Sequence, residues 1–249
     1  MEGPKAQRKG LPNGSRPSRQ GCSEHLARGA EGGRRDRRGF ASEGHEDEPE
    51  VPRALSFSQV GTGACLYSRE MPGRVLIVVD TQEGFTRQGN LASETCTAAV
   101  PRIAELVEKE LADGTPIVFT KDSHREGDPE FEMFPPHCLV GTTEHELAEE
   151  LREFEPDAAA VIQKTRYSAF HRTELDQLLR ELAPEEVHVA GLCSDICVLH
   201  TTADLRNRDY RVVVHRDAVE TFDTPGHDHE EINRWALGHI EGILGAKVV

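Results

Sequence analysis

From Arg74 to the C-terminus, short β-branched runs alternate with stretches whose apolar residues recur at helical spacing. This alternation constrains the chain more than any other feature. A strand covered on both faces must be apolar along its length, and a parallel neighbour requires a helix-sized crossover. Val75-Leu76-Ile77-Val78-Val79 is such a run. The pattern predicts strands over 75–79, 116–120, 159–163, 186–190, 210–215 and 246–249, with helices over 92–111, 173–182, 196–207 and 228–244. The first helix stops at Asp113-Gly114, the residue types that end helices. Six strands separated in this way predict an α/β fold, a three-layer doubly wound parallel sheet.

Residues 1–70 are rich in Gly, Arg, Ser, Pro and Glu and lack apolar periodicity, so they are expected to form a disordered tail before one domain over 71–249. Asp36 interrupts the cluster of Arg34, Arg35, Arg37 and Arg38, and an acidic stretch follows over 43–50; a solvated tail fits better than a nucleic-acid patch. Met71 directly precedes the first strand, which fits a natural start there; an intact mass retaining Met1 would rule that out.

A net charge of -15 disfavours nucleic acid or an anionic membrane as partner and leaves a small molecule as the expectation. No apolar run approaches the roughly 20 residues of a membrane helix, and no secretory core opens the chain, so a cytoplasmic location is expected. The cysteines Cys22, Cys65, Cys96, Cys138, Cys193 and Cys197 are scattered and expected to be reduced.

Open parallel sheets bind ligands beyond the carboxyl ends of their strands. Polar residues crowd there: Asp80 after the first strand, Asp122 and His124 after the second, Lys164 after the third, and Cys197 beyond the fourth. Gly191-Leu192-Cys193-Ser194-Asp195-Ile196-Cys197 runs from strand into helix, so the helix dipole would favour a Cys197 thiolate. Taken alone, Cys197 could equally be a small buried hydrophobe, Asp80 a turn cap and Lys164 a surface lysine. Together they offer a nucleophile, a proton acceptor and a cation to hold that acceptor.

Asp122, His124, Glu130 and His137 share a Pro-rich loop and could ligate one borderline divalent ion, Zn foremost, with Mn or Fe also suited. Glu132 competes with Glu130 for the fourth position. A further group, His227, Asp228 and His229, follows Pro225-Gly226, where helix capping and solvent account for it.

At this point the chain resembles the nicotinamidase branch of the isochorismatase-like cysteine hydrolases. The likeness spans 75–249 and rests on ordered motifs: Asp80-Thr81-Gln82, Asp122-Ser123-His124, Phe134-Pro135-Pro136-His137, Lys164-Thr165-Arg166-Tyr167-Ser168-Ala169-Phe170, the cysteine segment and Ala236-Leu237-Gly238-His239. It implies sheet order 3-2-1-4-5-6, an Asp80, Lys164, Cys197 triad and a cis peptide bond before Cys193. It also implies an oxyanion hole from the N–H groups of Cys193 and Cys197, and aromatic walls at Phe85, Phe134 and Tyr167. Metal roles carry directly to Asp122, His124 and His137. The substrate implied is nicotinamide, its ring nitrogen on the metal. Phe134 stands where many relatives have Trp, and Ser194 where Thr is usual.

Relatives range from monomers to larger assemblies, so a homo-oligomer is compatible. Two rivals stand beside this reading. One is an amidohydrolase of the same superfamily acting on a carbamoyl or ureido substrate. The other is a silent metal-binding or redox module with a Cys193–Cys197 disulfide.

Overall fold

The computed structural model describes residues 73–249. The expected disordered tail, its arginine cluster, the proposed start at Met71, Cys22 and Cys65 all lie outside the described residues.

Six parallel strands, β1 (Arg74–Val79), β2 (Ile117–Asp122), β3 (Ala160–Lys164), β4 (Glu186–Leu192), β5 (Val212–Glu220) and β6 (Lys247–Val248), form one sheet in the order β3-β2-β1-β4-β5-β6. The helices are α1 (Glu83–Thr86), α2 (Glu94–Ala112), α3 (Leu175–Leu182), α4 (Cys197–Arg206) and α5 (His229–Gly242). Both the fold class and the strand order agree with the sequence expectation.

The alternation along each strand divides the core in two. Val75, Ile77, Val79, Val187 and Val189 pack with Leu175, Leu179, Val198, Leu205 and Ile240 of α3, α4 and α5. Leu76, Val78, Ile117 and Phe119 pack on the other face with Cys96, Ile103 and Val107 of α2. Apolar side chains on both faces of β1 are what a central parallel strand requires.

The chain leaves β1 toward β2 and β3, then returns to pair β4 on the other side of β1, from Arg74 opposite Glu186 to Val79 opposite Gly191. The switch point therefore lies where β1 and β4 end side by side. There β4 comes so near that a Cβ on Gly191 (φ +114°) would lie 2.1 Å from the Val79 carbonyl oxygen.

Several boundaries differ from expectation. Strand β2 starts at Ile117 and continues through Asp122, and β3 includes Lys164, so these two are the last residues of their strands and pair with each other. Ladder pairing that carries polar residues extends a strand beyond its apolar run. For the same reason β5 reaches Glu220, which pairs with Leu192 after the register against β4 has shifted between Val189 and Gly191. Helices α2, α3, α4 and α5 begin one or two residues later than expected, because Ser93, Glu174, Ile196 and Asp228 stand as N-caps with non-helical backbone. Helix α1 has too few residues to show periodicity and was not expected.

Candidate active site

Asp80 follows the last residue of β1 with φ +42°, a left-handed conformation that is costly for a residue with a Cβ. Thr120 of β2 holds it: the hydroxyl donates to Asp80 Oδ1 at 2.6 Å and accepts from the Asp80 N–H at 3.1 Å. Gln82 ties the same two strand ends together. Its amide donates to the carbonyls of Asp122 and His145, both at 3.0 Å, and its oxygen accepts from the Asp122 N–H at 2.7 Å.

Lys164 closes the group. Only 1% exposed, its Nζ lies 2.6 Å from Asp80 Oδ2, 3.3 Å from Asp122 Oδ1 and 3.5 Å from Cys197 Sγ. Burial opposes the charge on Lys164, but Asp122, Asp80 and Cys197 outweigh it and keep the ammonium protonated well above its ordinary range. Burial likewise opposes ionisation of Asp122; Lys164, first, and the neighbouring His124 and His137 overcome it, so this carboxyl stays ionised. Asp80 is raised, by burial first, despite Lys164.

Cys197 is the first residue of α4, as the strand-to-helix reading required. Two effects act against the expected thiolate. Burial pushes the thiol well above its ordinary value, and the nearby carboxylates of Asp80 and Asp122 add to this against the pull of Lys164. Desolvation and like charge thus work against the helix dipole at this sulfur. Cys193 and Cys197 are both free thiols, not the disulfide of the redox rival. The Leu192–Cys193 peptide bond is cis. In the intervening loop the N–H groups of Ser194, Ile196 and Val198 donate to the carbonyls of Glu220, Cys193 and Cys193. No side chain caps α4; the Val198 N–H in its first turn is satisfied by the Cys193 carbonyl instead.

Beside Lys164, one ligand atom from each of Asp122, His124, Glu130 and His137 lies within 4.8 Å of all the others, and all four residues are buried. His124 Nε2 and His137 Nε2 stand 3.2 and 3.3 Å from Asp122 Oδ2, and 3.9 and 4.0 Å from Glu130 Oε1. Ligands bound at about 2.1 Å in a tetrahedron are about 3.4 Å apart, so the group suits a small divalent ion. His137 Nδ1 meets the Pro135 carbonyl at 2.8 Å; a carbonyl can only accept, so Nδ1 carries the proton and Nε2 presents its lone pair to the cluster. Among the described residues, His124 Nε2 has no hydrogen-bond partner although it is buried. Glu130 is buried with the other three residues of this group, whereas Glu132 is exposed.

Cluster and thiol face one cleft, walled by Phe85, Phe134, Tyr167, Leu91, Ile196 and Phe222. The expected aromatics are all there, with Phe134 and Tyr167 meeting edge to face at 6.4 Å between centroids. Thr120, Leu91, Ile196 and Phe222 escaped the sequence reading.

Fold and cleft together define a doubly wound α/β enzyme with its site at the switch point. The chain belongs to the isochorismatase family, whose domain model, "Isochorismatase domain", matches residues 74–237. It is 42% identical over 186 residues to the isochorismatase family protein PncA of Bacillus subtilis, covering 70% of this chain and 98% of that one. The crystal structure of nicotinamidase PncA from Bacillus subtilis superposes with a TM-score of 0.65 and 36% identity, over 71% of this chain and 99% of that one. The pyrazinamidase of Pyrococcus horikoshii, described in complex with zinc, gives a TM-score of 0.61 at 29% identity, over 72% of this chain and 99% of that one. Among the described residues no helix is long and apolar enough to cross a membrane.

Proposed function

We propose that this protein is a nicotinamidase, hydrolysing nicotinamide to nicotinate and ammonia through a thioester on Cys197. The observation that carries this is the position of Lys164, whose ammonium reaches Asp80, Asp122 and Cys197 and so joins a nucleophilic thiol to the ligand cluster across one aromatic cleft. The nicotinamidase and pyrazinamidase named above support the choice of amide. The reading extends to a catalytic unit over 71–249 working in the cytoplasm, where thiols stay reduced, and serving salvage of nicotinamide toward NAD.

Asp122, His124, Glu130 and His137 would hold a divalent ion, zinc by likeness to the Pyrococcus protein. When bound, it supplies a Lewis-acid site for the pyridine nitrogen of the substrate. Phe85, Phe134 and Tyr167 flank the ring and direct its carboxamide carbon toward Cys197.

Burial makes Asp80 more basic than an ordinary carboxylate, which suits it to accept the thiol proton. As that proton moves, sulfur bonds to the carboxamide carbon and the C=O π pair moves onto oxygen. The N–H groups of Cys193 and Cys197 receive the oxyanion. Asp80 then delivers its proton to the amide nitrogen, the C–N bond breaks and ammonia leaves. Water gives a proton to Asp80 and attacks the thioester. The C–S bond breaks, and the sulfur recovers its proton from Asp80. Lys164 keeps its proton throughout and holds Asp80 in place.

The test is ammonia release from nicotinamide by purified protein, beside Cys197→Ala and a chelator-treated sample. Release by the wild type that both treatments abolish is the expected result. No release from a folded, metal-loaded wild type would remove nicotinamide as substrate and direct the search to carbamoyl and ureido amides.

A further inference from the structure

Capping and solvent were expected to account for His227, Asp228 and His229. Asp228 does cap α5, its Oδ1 accepting from the Glu231 N–H at 2.9 Å. His227 behaves otherwise. Residues Thr224 and His227 exchange two backbone hydrogen bonds, of 3.1 and 2.8 Å, around Pro225-Gly226. This turn folds the imidazole back onto Phe222, with ring centroids 4.0 Å apart and planes within 10°. Phe222 is a wall of the cleft.

Both ring nitrogens of His227 face groups that can only accept. Nδ1 lies 2.9 Å from the Phe222 carbonyl oxygen, and Nε2 lies 3.0 Å from Asp195 Oδ2. A neutral imidazole has one N–H and would satisfy one of these contacts; the imidazolium satisfies both. Asp195 itself sits in the loop between Cys193 and Cys197, and its Oδ1 accepts from the Thr221 hydroxyl at 2.6 Å. One carboxylate of the nucleophile loop therefore grips the β5–α5 connection at two points.

Of the other charged groups nearby, Glu220, at the end of β5, receives the Thr221 N–H, Asn233 and His229, while Asp228 caps α5 at the Glu231 N–H. Asp195 is the carboxylate that meets His227. The hydrogen bonds to Asp195 and the Phe222 carbonyl raise the proton affinity of His227 against the effect of burial.

We propose that His227 is a positioning residue, held as an imidazolium, that fixes Phe222 as a wall of the substrate cleft by clamping the β5–α5 connection to the nucleophile loop. The inference rests on reading this cleft as the amide site. It makes the fit of the cleft depend on one proton outside the reacting group: when His227 loses it, one clamp bond fails, the stacking loses its cationic partner and the Phe222 wall loosens.

Three readouts on the full chain test this. Imidazole ¹⁵N NMR should find both His227 nitrogens protonated, with a midpoint above the ordinary histidine value. His227→Gln should raise KM for nicotinamide about tenfold with kcat within about twofold, the signature of a lost binding contact rather than lost chemistry. In the wild type KM should climb as His227 deprotonates, while in His227→Gln it should stay flat over that range. Phe222→Ala, which keeps the histidine, should reproduce the rise in KM.

Alkylation of Cys197 by iodoacetamide supplies an arm that needs no substrate. His227→Gln should react faster than wild type below the His227 midpoint, and the ratio should fall to one above it. A wild type inert toward nicotinamide would defeat the substrate reading, and the NMR and alkylation arms would still decide the clamp. A singly protonated His227 below the ordinary histidine midpoint, or a folded His227→Gln with wild-type KM and wild-type alkylation, would overturn it.

Discussion

At the scale of single residues, Lys164 carries the most electrostatic consequence. It is the cation between Asp80 and Asp122, all three side chains being almost completely buried. Replacing it by Met keeps much of the volume but leaves two carboxylates facing each other without a counter-charge. Breaking a buried pair this way costs about 3–5 kcal/mol. We expect Lys164→Met to lose stability of that order in urea titrations at neutral pH, and to lose amide hydrolysis as well. A melt matching wild type would mean the pair is hydrated in a way its burial excludes. The residues of this group were legible in the sequence because each is a chemically costly choice at the end of an apolar strand or in a polar loop. Thr120 was not, since a threonine in a strand is an ordinary β-former until the register sets it against Asp80. Phe222 and His227 were hidden for a related reason: their roles depend on a turn folding back onto the nucleophile loop, which no local spacing encodes.

At the scale of elements, the site depends on how closely β1 and β4 approach at the switch point. Gly191 permits it, with φ +114° and no room for a Cβ against the backbone of Val79, whose oxygen and nitrogen would lie 2.1 and 2.5 Å away. Backbone on both sides cannot yield as a flexible side chain would. Gly191→Ala is therefore expected to exceed about 4 kcal/mol in cost and to abolish soluble, cooperatively melting protein. Gly238→Ala is the matched control. That glycine lies within α5 with nothing inside 4 Å of its added Cβ, so the variant should melt with wild type or gain about 0.5–1 kcal/mol. Equal outcomes for the two glycines would remove the close approach as an explanation. Element order and type were readable because six apolar runs and long amphipathic stretches each repeat their period several times. Strand ends were less so: β2, β3 and β5 run on through polar residues whose pairing partners are distant in sequence.

At the scale of the whole molecule, stability in acid sets two effects against each other. The chain carries a formal charge of -15, so mild acid relieves repulsion and should stabilise the compact state. Opposing this is a half-buried pair on β4 and β5, His188 Nδ1 lying 2.9 Å from His215 Nε2. One shared proton satisfies that contact, and a second would place two cations against each other. Burial first, then His188, lowers His215 from its ordinary 6.5 to about 4. Between these values the unfolded chain binds more protons than the folded one, so stability falls as pH drops through that window and is fully present above it. Allowing for partial solvent screening, the contribution is about 2 kcal/mol. Because the relief of charge repulsion is common to both proteins, the difference between wild type and His215→Leu isolates the pair. Urea unfolding from pH 7 down to pH 4 should show wild type losing about 2 kcal/mol relative to His215→Leu, with most of the change below the ordinary histidine value. Parallel curves would show that folding leaves the proton affinity of His215 unchanged, and acid sensitivity would then have to be sought in the carboxylates instead.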